Sequence, residues 1–151
     1  MYVPVAERLS AEVLNKAFLI ALLLAGSVER AEAAVMEGIR QLDDRVDLLE
    51  TAMIAAIGAS ADTGGSAQAL LPDELRRVLD LPEVSRHCYV LRVLVGLQRV
   101  YCARILRMEA VRVDEAVCGA ACMLARMMEK EGLALAVPGA TRVHYRSGDQ
   151  T

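Results

Sequence analysis

The stretch "LPEVSRHCYVLRVLVGLQRVYCARILRMEAVRV", residues 81–113, decides how the rest of the chain is read. Pro82 stands where a helix can begin, because proline is tolerated in a first turn. That helix is closed by Gly96. A short helix follows from about Gln98 to Leu106, "RME" makes a tight turn, and a long helix runs from about Ala110 to Lys130, ending at Gly132. Helix, short helix, three-residue turn and helix is the order of a helix-turn-helix.

Composition agrees with an all-α protein. The 151 residues are 55% hydrophobic, with no Trp and one Phe, and the abundant Ala and Leu are strong helix formers. A formal net charge of −3 gives no global attraction to nucleic acid. Residues 1–71 carry 5 basic and 10 acidic side chains, a balance of −5, whereas residues 72–131 carry 10 and 9, a balance of +1. The second half is therefore nearly neutral, short of the basic footprint of a DNA-binding domain.

Towards the N-terminus, Ser10 is placed to cap a helix that runs to about Ala25 and stops at Gly26. Its apolar run "AFLIALLLAGS" is too short to span a bilayer and is preceded by Glu7 and Glu12, so it reads as a buried helix of a cytoplasmic protein. Ser27 caps a second helix with Ala31, Val35, Ile39 and Leu42 on one face. A third is expected from about Arg45 to Ile57. "GASADTGGSAQ", residues 58–68, is the one Gly/Ser-rich polar stretch and reads as a flexible linker. Pro72 opens the next helical segment, and residues beyond Pro138 lack periodicity.

Chemistry-bearing residues are sparse. Cys88, Cys102, Cys118 and Cys122 include no CxxC pair, so they are expected to be reduced thiols and not zinc ligands. His87 and His144 are the only histidines, and no nucleophile elbow, paired-carboxylate or phosphate-loop pattern is present. "DTGGS" at Asp62 lies in the Ala-rich linker, not on a strand turn. The sequence points to no catalytic residue, no metal and no cofactor, and so to a protein that is not an enzyme.

Residues 81–125 resemble the C-terminal DNA-binding region of bacterial RNA polymerase sigma factors of the sigma-70 family, extracytoplasmic-function type, whose pattern runs roughly LPxxxRxxxxLRxxxGLsxxEIAxxLgisxgTVxxxxxRAxxxL. Leu81, Pro82, Arg86, Leu91, Arg92, Gly96, Leu97, Ala103, Leu106, Val113, Ala120 and Leu124 fall on it without a gap. "AEAAVMEGI", residues 31–39, is similar to the same family's polymerase-binding helix, roughly AEDxVQEVF, with Ala31, Glu32, Val35 and Glu37 matching. The resemblance implies an N-terminal helical lobe like sigma region 2 (residues 1–57), a flexible linker (58–70), a helix-turn-helix domain like sigma region 4 (71–132) and a tail (133–151). It also implies a role in transcription.

Departures from the pattern fall at functional positions. The family's Asp, Gln and Phe in the polymerase-binding helix are replaced by Ala33, Met36 and Ile39. Its promoter-melting segment, where aromatic rings stack on bases, corresponds to "DLLETAMIAAIGAS", which has neither an aromatic nor a basic residue. In the recognition helix Arg112 replaces a Thr, Asp114 and Glu115 follow, and Gly119 stands where an Arg is usual. Two adjacent acids repel phosphates. The candidate DNA contacts are Arg99, Arg104, Arg107 and Arg112, and the candidate partner surface is Glu32, Val35, Met36 and Glu37. The expected function is sigma-like and transcription-associated, exercised through protein contacts with polymerase core, an anti-sigma factor or a second copy of the chain. Direct DNA regulation is the alternative, and no membrane is involved.

Overall fold

The computed structural model describes residues 9–43, 47–59 and 69–136. Every element is helical, and no strand occurs among the described residues. Most of the expected linker (60–68) and the chain beyond residue 136 lie outside the described residues.

Helix α1 (Ala11–Ala25) begins at Ser10, whose hydroxyl accepts from the Val13 amide at 3.3 Å. It ends at Gly26, whose φ of 81° suits a residue without a Cβ. One residue on, the Ser27 hydroxyl accepts from the Arg30 amide at 3.1 Å and starts α2 (Val28–Arg40). Asp47 caps α3 (Leu48–Gly58) by accepting from the Glu50 amide at 3.2 Å. A carboxylate bonding the third amide fixes the first turn; the start expected at about Arg45 falls on residues 44–46, which lie outside the described residues.

These three helices pack on one another. Ala31, Ala34, Val35 and Gly38 form the buried face of α2, and Leu48, Ala52, Met53 and Ala56 that of α3. Gly38 permits the closest approach. A Cβ there would lie 2.8 Å from the Leu48 side chain and 3.2 Å from its carbonyl oxygen.

Beyond residue 68, Leu71 is buried ahead of the single turn α4 (Asp73–Arg76), which continues as a 3-10 turn over Arg77–Asp80 that buries Val78 and Leu79. Helix α5 (Glu83–Tyr89) passes into a π-wound segment, Val90–Val95, and Gly96 at φ 87° closes it. Three of those six residues are valine, and β-branched side chains crowd a regular α-turn. The short α6 (Arg99–Leu106) ends at Arg107, which adopts a left-handed φ of 57°, and α7 (Ala110–Ala136) follows. The helix, tight turn and helix read from residues 98–130 are present.

Helix α7 runs past Gly132, where the sequence places its end. Glycine inside a helix costs only about 1 kcal/mol. Arg77 also holds Glu131 in a two-pronged ion pair, Nε to carboxylate at 2.9 Å, which fixes the helix beyond Lys130 against the 3-10 turn. The expected tail therefore contributes residues up to Ala136 to a helix.

The core is continuous across the two sides of residues 60–68. The second half of α1, from Ile20 to Ala25, is buried at every position, because α2 and α3 cover one side and α5 with its π-wound segment covers the other. An apolar segment buried all round is the expected reading of a helix that is apolar all round. Among the described residues, no helix is long and apolar enough to cross a membrane.

Candidate functional site

The seam between the halves carries two polar links, the first at the end of α1. The Leu24 carbonyl accepts from Arg86 Nη2 at 3.3 Å and lies 2.9 Å from His87 Nε2. Leu24 belongs to the last turn of α1, where carbonyls have no partner within the helix and the dipole is negative. A buried guanidinium and an imidazole N–H thus finish the helix end, and Arg86 also donates to the Leu81 carbonyl at 3.4 Å. Burial lowers the His87 pKa, partly opposed by its bond to Leu24, so the ring is neutral at pH 7 and the Nε2 tautomer donates. This work for Arg86 and His87 was not legible in the sequence, because the Leu24 carbonyl lies 62 and 63 residues away.

A second link is made by Tyr101 on α6, whose hydroxyl donates to the Glu50 carboxylate on α3 and whose pKa is pushed up to about 12 by that bond. Arg104 lies over the same ring, 5.8 Å from its centroid. The four arginines expected to face DNA therefore divide. Arg99 is bound to Asp114 at 3.2 Å, Arg104 is stacked on Tyr101, Arg107 occupies the left-handed turn position, and Arg112 is exposed on the first turn of α7.

The Arg99–Asp114 pair explains one of the two acids in that helix. Asp114 faces α6 and neutralises a candidate phosphate contact within the chain itself. Glu115 stays exposed on the outer side of α7, with Cys118 and Cys122 on the following turns. That outer side offers a guanidinium near each end, Arg112 and Arg126, with acid, thiols and small side chains between them.

On α2, Glu32 and Met36 are exposed, Met36 at 55%. Val35 packs into the core and is not part of a surface. Glu37 bonds Gln41 and Arg40, which lower its pKa in that order. Glu37 and Gln41 also line a groove of about 500 Å³ between α2 and α3, together with Glu50, Thr51, Ile54 and Ala55.

Cys88 and Cys102 are buried, and burial raises both pKa values, Cys88 to about 11. Thiols held protonated in a core are inert. No group of three or more His, Cys, Asp or Glu placed to hold a metal occurs among the described residues. Comparisons with protein families, with curated proteins and with solved structures found no match for this chain.

Proposed function

We propose that the chain is a sigma-factor-like, transcription-associated protein that acts through protein contacts, with direct base reading weakened. The observation that carries this reading is the outer side of α7. The helix occupies the recognition position of a helix-turn-helix arrangement, where a DNA reader needs cations and hydrogen-bond donors. Here Arg99 is engaged by Asp114, Glu115 is exposed, and Cys118, Gly119 and Cys122 fill the turns that follow. Exposed Glu32 and Met36, beside the acidic groove under Glu37, supply the surface for a basic partner on the other half.

The test pairs capture of RNA polymerase core by the purified protein with binding to mixed-sequence duplex at low salt. The expected result is polymerase capture without DNA affinity. Binding to DNA that weakens steeply as salt rises would overturn the reading in favour of a DNA-binding regulator. In that case Arg112→Ala would cost about 1–3 kcal/mol at one base position. Under the proposed reading Arg112→Ala leaves polymerase capture unchanged.

A further inference from the structure

Helix α7 lies along the outside of the molecule, packed through Val113, Val117, Ala120 and Leu124. On the opposite side stand Val111, Glu115, Cys118, Cys122, Ala125 and Glu129, all exposed, Val111 at 56%. Their spacing alternates four and three residues, a stripe along which two helices can meet, with Glu115 and Glu129 as its charged positions. The seam is symmetric about Ala120. Reversing the direction of the helix at that point carries 111 onto 129, 115 onto 125 and 118 onto 122.

We infer that this face pairs with a second copy of the chain, two α7 helices running antiparallel with the two-fold axis at the level of Ala120 along the helix. A two-fold interface uses one patch twice, so the patch must complement itself. The charges do so in the antiparallel sense. Arg126 comes within one residue rise, about 1.5 Å, of the level of Glu115 on the second copy, and Arg112 stands in the same relation to Glu129. Each contact occurs twice. A parallel pair in the same seam sets Glu115 against Glu115 and Glu129 against Glu129, which is repulsive. At the centre, the short side chains of Cys118, Cys122 and Ala125 let the two helix axes come close, and Cys118 faces Cys122 of the other copy. The inference rests on α7 being a protein-contact helix, and it names the partner of that face.

The experiment uses the full chain and two doubly substituted variants at exposed positions, Glu115→Arg with Glu129→Arg, and Arg112→Glu with Arg126→Glu. Sedimentation velocity is expected to show the unsubstituted protein at twice the chain mass at high concentration. Each variant alone should associate at least about tenfold more weakly, because every facing pair becomes like-charged, and mixing the two should restore a dimer. Mild oxidation of the unsubstituted dimer with diamide should link Cys118 to Cys122 between copies, identified by peptide mass. A chain that stays monomeric at every concentration overturns the inference. So does a dimer indifferent to both charge reversals, or a cross-link of Cys118 to Cys118 alone. Duplex DNA is added to the same samples. A monomer that ignores DNA removes the dimer and leaves the proposed function standing, whereas salt-sensitive DNA binding by a monomer removes both.

Discussion

Helices α1 and α7 are both rich in Ala and Leu, with Val and Met added in α7, yet they hold opposite positions in the molecule. The second half of α1 is enclosed, with Ile20 through Ala25 shielded on all sides. Helix α7 is nearly twice as long, 27 residues against 15, and among its described side chains only Val113 and Ala120 are fully buried. The difference lies in what surrounds each helix. α1 is covered from one side by α2 and α3 and from the other by α5, and its buried carbonyl end is finished by Arg86 and His87. α7 has α5, α6 and the 3-10 turn on one side only. Apolar content thus marks a helix as able to be buried. Position in the chain order decides whether it is.

Substitutions in the two helices should differ most in cost. Leu23→Ala removes a fully buried side chain where no neighbour can collapse freely, and it should cost about 2–5 kcal/mol in urea unfolding. Ala121→Asp, on the exposed side of α7, should stay within about 0.5 kcal/mol. Similar costs at both positions would mean that α7 is covered as fully as α1.

A second substitution probes the packing that encloses α1. Gly38→Ala places a methyl group 2.8 Å from the Leu48 side chain and 3.2 Å from backbone oxygen. Overpacking of this kind should cost about 1–3 kcal/mol, read as a lower midpoint at unchanged slope. An unchanged midpoint would show that α2 and α3 slide apart without penalty.

The seam to α5 carries its own pH dependence. His87 has a folded pKa below its ordinary value of about 6.5, so the unfolded chain binds the proton first as pH falls. Its contribution is fully present above about pH 6.5 and is lost as pH falls through the folded pKa. The expected loss is smaller than that of Leu23→Ala or Gly38→Ala. Stability measured from pH 7.5 to 5 should decline in the native protein and decline less in His87→Gln. Parallel declines in the two proteins would remove His87 as the cause.

The smallest effect sharpens the reading of α7. Asp114→Asn breaks an ion pair whose partners are 50% and 41% exposed, worth less than about 1 kcal/mol to stability. Its consequence should appear in nucleic-acid binding, where release of Arg99 raises affinity for duplex at low salt over that of the native chain. Equal affinities would show that the pair does not screen Arg99.

Much of this architecture is legible in single residues. Ser10, Gly26, Ser27 and Gly96 mark helix ends because capping hydroxyls and left-handed glycines act within one turn of themselves. The all-helical class follows from composition and from periodicity near 3.6. The far end of α7 is not legible in this way, because Arg77, which holds the helix past Gly132, is 54 residues from Glu131. The candidate site was less legible. Val35 looked like part of a surface, since helical spacing shows that a face exists without showing which neighbour covers it. Asp114 and Glu115 looked alike side by side, and only the approach of α6 set them apart.

What the sequence determined by itself, then, is the set of helices, most of their ends and the tight turn before α7, all consequences of interactions within a few residues. It took tertiary contacts to make α1 the enclosed helix and to set Arg86 and His87 at its carbonyl end. The same structure tied Asp114 to Arg99 and left Glu115, Cys118 and Cys122 facing outward. Each of these depends on groups far apart along the chain meeting in space, and local propensity carries no record of which groups will meet.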